Sequence, residues 1–139
     1  MKISDIFFKK VIAALPRHSL AVVAGLMQEH NIGAVVILED ERPVGIVTDR
    51  DLALALGAKK LPLETPVEKV MTRRVLAIPE DTDILTATKY IRECGVRRLP
   101  VVDREDRVTG VVTLDDLLRL LSRELSNLTE GIKQEMEIK

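Results

Sequence analysis

One phrase of this sequence is written twice, and no other feature limits the fold as much. Gly45-Ile46-Val47-Thr48-Asp49-Arg50-Asp51-Leu52 returns as Gly110-Val111-Val112-Thr113-Leu114-Asp115-Asp116-Leu117. Each copy is a glycine, a short β-branched run, and a threonine three residues before an aspartate. The likeness extends upstream at an offset of 64 residues, which pairs Asn31-Ile32 with Gly95-Val96. It also sets Ile3, Ile6 and Phe7 against Val67, Val70 and Met71, and Leu20, Val23, Ala24 and Met27 against Ile84, Ala87, Thr88 and Ile91. At the glycine the offset becomes 65, so the second copy holds one extra residue in the turn that includes Asp103–Arg107. A one-residue difference in an exposed turn is thermodynamically minor.

The copies share one plan. Val11–Ala14 and Val75–Ile78 are predicted as short strands from their β-branched content. Ser19–His30 and Asp83–Cys94 carry apolar residues on one helical face. Ala34–Leu38 and Leu99–Val102 are buried-type strands, followed by acidic turns and by Val44–Thr48 and Val108–Thr113, which complete hairpins. Pro100 on such a strand fits a strand end or edge. Asp49–Leu56 and Leu114–Leu125 are helices, with Gly57 as the stop of the first. The expected fold is α+β: two β-α-β-β-α repeats packed face to face about a pseudo-two-fold axis. A unit of about 60 residues is marginal alone, so each repeat is expected to cover the other's apolar face. Residues 1–62 form the first repeat, 63–66 the proline-bounded linker, 67–125 the second repeat, and 126–139 a helical extension.

Composition removes several classes of function. The chain is 46% apolar and 31% charged with a formal net charge of −1, which fits a folded protein and opposes nucleic-acid binding. Phe7, Phe8 and Tyr90 are its only aromatics, so a base-stacking platform is nearly absent. No apolar run is long enough to span a bilayer, and the start of the chain lacks a signal-peptide layout. The single Cys94 cannot form an internal disulfide. A cytoplasmic protein without membrane contact is expected. His18, His30 and Cys94 suggest no nucleophile with a base beside it, and no phosphate loop, GxSxG or HExxH motif occurs. No enzyme activity, metal or cofactor is expected.

The Thr-x-x-Asp step sits where a strand hands over to a helix. Such a junction presents backbone N–H groups, a hydroxyl and a carboxylate at one point, a combination suited to the sugar and phosphate of a nucleotide. Asp51 and Asp116 can accept from both hydroxyls of a ribose, and Thr48 and Thr113 can face the sugar or phosphate. The same pattern is also a capping box, and both roles can coexist.

The doubled pattern resembles a tandem pair of CBS domains. The resemblance rests on Val67-Glu68-Lys69-Val70-Met71-Thr72, on Gly95-Val96-Arg97-Arg98-Leu99-Pro100-Val101-Val102-Asp103, and on the two Gly-x-x-Thr-x-x-Asp segments. It runs from about Ile3 to Leu125, with no further domain, as in a stand-alone pair. It implies regulatory binding of an adenosyl ligand, foremost AMP, ADP or ATP, in clefts between the repeats. It also implies a homodimer and a regulated partner protein. The resemblance places Arg97 and Arg98 at a cleft mouth, in reach of phosphate, and Val75–Ile78 with Val11–Ala14 beside the adenine. Val75, Ala77 and Pro100 therefore join Thr48, Asp51, Thr113, Asp116, Arg97 and Arg98 as the expected ligand-binding set. Solvated arginines and ordinary core packing are the alternatives for these basic and apolar residues. Gly33-Ala34 stands where the second copy has Arg97-Arg98, so the two clefts are expected to differ at their phosphate ends. A sensor of S-adenosylmethionine and a ligand-free interaction scaffold are the competing functions.

Leu118, Leu121, Leu125, Leu128 and Ile132 recur at spacings of 3, 4, 3 and 4, a narrow seam of coiled-coil type. Asn127 and Gly131 weaken a continuous helix through it. Either the tail closes a dimer or it frays beyond the last repeat helix.

Overall fold

The computed structural model describes residues 1–5, 11–73, 76–94 and 98–137. The first unit contains β1 (Ala13–Ala14), α1 (Leu20–His30), β2 (Ala34–Glu39), β3 (Arg42–Thr48) and α2 (Asp49–Ala53). The second contains β4 (Ile78–Pro79), α3 (Ile84–Cys94), β5 (Arg98–Val102), β6 (Val108–Thr113) and α4 (Leu114–Glu137). Each sheet has three strands: β1 pairs in parallel with β2, and β4 with β5, while β2–β3 and β5–β6 are antiparallel hairpins. A bulge follows Ile37 in one copy and Val101 in the other, at equivalent positions. None of the described helices is long and apolar enough to cross a membrane.

Local chemistry explains the boundaries. Ser19 caps α1 by accepting the Val22 N–H at 3.2 Å, and Asn31 ends it in the left-handed region at φ 50°. Leu20, Val23 and Met27 form its buried face. At the start of α3, Asp83 accepts the Thr86 N–H at 3.0 Å and the Thr86 hydroxyl at 2.8 Å. Those bonds, the backbone one foremost, hold its carboxyl below the ordinary pKa. Asp40 and Glu41 both have positive φ, the signature of a two-residue turn matched to strand twist. The longer second turn instead folds around Asp103, whose carboxylate accepts the N–H groups of Glu105 and Arg107 at 2.8 and 3.0 Å.

The two units exchange their leading segments. Ile3 is fully buried in the core of the second unit, with Ile78, Ile84, Leu99 and Leu117. Its N–H donates to the Thr82 carbonyl at 2.8 Å, and the Ser4 N–H donates to the Glu80 carbonyl at 2.9 Å. Val67 and Met71 are buried in the core of the first unit, with Leu20, Val35 and Val47. The Val67 N–H donates to the His18 carbonyl at 2.7 Å. The exchange explains Gly45: a β-carbon there would lie 2.3 Å from Met71 Sδ. Any larger residue must push Met71 out of its site. The hairpins also touch, through the Val108 N–H and the Glu41 carbonyl at 2.9 Å. The reciprocal bond cannot form, because Pro43 occupies the equivalent position and has no N–H.

Four expectations change in detail. The first strand of each copy is shorter, because only two residues reach the parallel ladder: Ala13 and Ala14 face Val36 and Ile37, and Ile78 and Pro79 face Val101 and Val102. Pro100 lies inside a central strand, tolerated because β4 begins its pairing one residue later, at Val101. Gly57 does not stop α2; the helix widens into a π turn over Leu54–Ala58, with the Lys59 N–H donating to the Leu54 carbonyl at 2.9 Å. Finally, α4 continues through Asn127 and Gly131 to Glu137. It packs through Leu114, Leu117 and Leu120, whereas Leu118, Leu121, Leu125, Leu128 and Ile132 are all exposed.

Candidate ligand cleft

Both Thr-x-x-Asp motifs fold as complete capping boxes. Thr48 Oγ1 accepts the Asp51 N–H at 3.2 Å, and Asp51 Oδ2 accepts the Thr48 N–H at 2.9 Å. In the second copy both corresponding bonds are 3.1 Å. The capping role is therefore made in both copies, and it uses Oδ2 of each carboxylate. The other oxygen of Asp116, Oδ1, lies 3.8 Å from Arg119 Nη1. Asp116 is largely covered, while Arg119 is largely open to solvent.

A cavity of about 330 Å³ lies between the units at the second motif, near the lower end of small-ligand pockets, which span roughly 300–1,000 Å³. The first unit supplies an aliphatic wall: Val11 and Ile12 ahead of β1, Ile32, Val36, and Ile46 on β3. Asn31, Gly33 and Ala34 complete that side. The second unit supplies Arg98 and Val111 from the sheet, Thr113 at the junction, and Asp115, Asp116 and Arg119 from α4. Arg98 pairs across the strands with Thr113 and reaches toward the first unit. A β-carbon on Gly33 would lie 3.5 Å from Arg98 Nη2 and 3.2 Å from Asp49 Oδ2. The cleft thus joins apolar surface to hydroxyl, carboxylate and guanidinium groups, the mix that a nucleoside with a charged substituent needs.

The expected site residues divide. Thr113, Asp116 and Arg98 border this cavity together. Thr48 and Asp51 stand at the equivalent junction of the first unit and do not border it. Ala77 is half-buried ahead of β4 and Pro100 is buried in β5, and neither borders it either. Arg97 and Val75 lie outside the described residues. Gly33, Ala34 and Arg98, expected at the phosphate ends of different clefts, all border this one cavity. The cavity takes one wall from each copy, which brings these positions together. Arg119, Asp115 and Asn31 were not singled out from sequence. A usable signal existed for Arg119, because the 65-residue offset pairs it with an apolar residue, Leu54. Among the described residues, no group of three or more His, Cys, Asp or Glu side chains could hold a metal ion.

The CBS domain family matches this chain twice, over residues 3–58 and 67–123. The chain belongs to the CBS domain family and is a tandem pair. An uncharacterized protein of Methanopyrus kandleri, MK0525, is 32% identical over 139 residues, covering 99% of this chain and 71% of that protein. The CBS domain pair of protein MJ0100, solved with 5′-methylthioadenosine and S-adenosyl-L-methionine, superimposes with a TM-score of 0.79 at 30% identity, covering 89% of this chain and 98% of that one. The CBS domain protein PAE2072 of Pyrobaculum aerophilum, complexed with AMP, shares the fold with a TM-score of 0.79 at 21% identity, covering 91% and 99%.

Proposed function

We propose that this chain is a regulatory sensor that binds an adenine nucleotide, AMP, ADP or ATP, in the cleft between its two units. The observation that carries this reading is the convergence of Thr113, Asp116 and Arg98 on a cavity with an aliphatic wall. The adenine lies against Val11, Ile12, Ile32 and Val36. The ribose hydroxyls donate to the Asp116 carboxylate, and the 5′-phosphate turns toward Arg98. Sensing requires that the ligand favour one arrangement of the units over another. A cleft walled by both copies supplies that, because closing on the ligand moves one unit against the other. The adenosyl ligands of the MJ0100 pair support the same class and favour a second reading, S-adenosylmethionine.

A thermal-shift series with AMP, ADP, ATP, adenosine and S-adenosylmethionine tests this. A ligand at 100 times its Kd adds about 2.7 kcal/mol, which for a chain of this size raises Tm by roughly 5–10 °C. The nucleotides are expected to give the largest shifts. A largest shift with S-adenosylmethionine selects the second reading, and no shift with any at millimolar concentration leaves a ligand-free scaffold.

A homodimer belongs to the same reading, with the exposed seam of α4 as its surface. Among the described residues, none of α4 beyond Leu120 belongs to either core, and in proteins most helical stability comes from packing of an apolar face. Light scattering on the chain ended at Leu125 is expected to show a monomer where the full chain is a dimer. A dimer that survives the truncation removes this role.

A further inference from the structure

We infer that Arg119 makes the cleft selective for a 5′-phosphorylated adenosyl ligand over a neutral or cationic one; the inference rests on the adenosyl reading above. Two arginines border the cavity, Arg98 and Arg119. Under the repeat register their counterparts in the first copy are Ala34 and Leu54. Both arginines thus replace apolar residues of the first copy and face the same space, whereas Arg123, which stands against Ala58, does not border it. Arg119 follows Asp116 by one helical turn, with its Nη1 3.8 Å from Asp116 Oδ1.

That geometry couples the two ends of a ligand. A ribose on Asp116 competes for the carboxylate that faces Arg119. The guanidinium, on a solvent-open side chain, then turns its forked donors to the group on the 5′ carbon. A phosphate there is attracted by Arg98 and Arg119 together. A sulfonium meets two like charges, and a bare hydroxyl gains little. The charged groups bordering the cavity, among the described residues, are Arg98, Arg119, Asp115 and Asp116. Removing Arg119 leaves the carboxylates in excess, which reverses the preference toward a cation.

Calorimetric titration of the full chain, Arg119→Leu and Arg119→Lys with AMP, adenosine and S-adenosylmethionine tests the inference. Leucine is the residue of the first copy at this position. Arg119→Leu is expected to weaken AMP about tenfold, the scale of one charge-assisted hydrogen bond at an open site. Adenosine affinity should stay unchanged and S-adenosylmethionine should tighten, while Arg119→Lys retains most of the AMP affinity. An equal loss of AMP and adenosine overturns the inference, since Arg119 then acts by holding Asp116. Unchanged AMP affinity in Arg119→Leu overturns it as well. If the full chain binds AMP no better than adenosine, this inference alone falls. If it binds none of the three, the adenosyl reading falls with it.

Discussion

Ile3→Ala is expected to destabilise the whole pair by about 2–4 kcal/mol, which lowers Tm by roughly 5–15 °C. A residue this close to a chain terminus ordinarily frays and tolerates change. Here it is 0% exposed, and backbone hydrogen bonds from Ile3 and Ser4 fasten it to the loop between β4 and α3. Alanine leaves a cavity among Ile78, Ile84 and Leu99, side chains of the distant half of the sequence. The loss therefore falls on the second unit, although the substitution lies in the first repeat. Scanning calorimetry decides the matter: a Tm within a degree or two of the parent's, as an estimate of ordinary terminal tolerance, contradicts the exchange of segments. Urea melting should also show an unchanged m-value if the pair still unfolds in one step.

Asp116→Asn separates the two roles of the Thr-x-x-Asp motif. Asparagine keeps an oxygen for the Thr113 N–H, so the box survives and stability changes by no more than about 1 kcal/mol. It loses the charge that strengthens hydrogen bonds from a ribose. Bonds to charged groups contribute about 1.5–3 kcal/mol, so affinity for AMP and adenosine should fall together by roughly 10–100-fold. Asp51→Asn, at the motif that does not border the described cavity, should leave that binding untouched. If Asp116→Asn lowers stability while ligand affinity stays the same, the carboxylate is a cap and nothing more.

Much of this was legible from periodicity alone. The repeat register places the long strands and the helices α1 and α3 within a residue or two, because each hairpin and each amphipathic helix carries its own signal, whereas α4 runs well past the expected Leu125, to Glu137. What escaped depends on contacts between distant parts. Pro100 reads as an edge residue because sequence does not reveal that β4 is two residues long. Gly131 reads as a weak point, yet its cost of about 1 kcal/mol against alanine lowers helix stability without ending a helix. The role of Gly45 is invisible until Met71 is seen against it. At the cleft, Thr113 and Asp116 announce themselves through duplication, whereas Arg119 is marked by a break in it. Looking for what repeats finds the shared machinery; looking for charged residues that fail to repeat finds what distinguishes one cleft from the other.

The crossed leading segments have a bearing on how such a module can be transplanted. Cutting the chain in the linker around Pro62 and Pro66 does not yield two domains. It yields one body with an empty place where Val67 and Met71 belonged and another with an empty place where Ile3 belonged. A graft that trims the first few residues as dispensable leaves its hole in the far half. The transferable piece is the whole span from Met1 to the Leu120 turn of α4, carried as a clasp that is closed only when both arms are present.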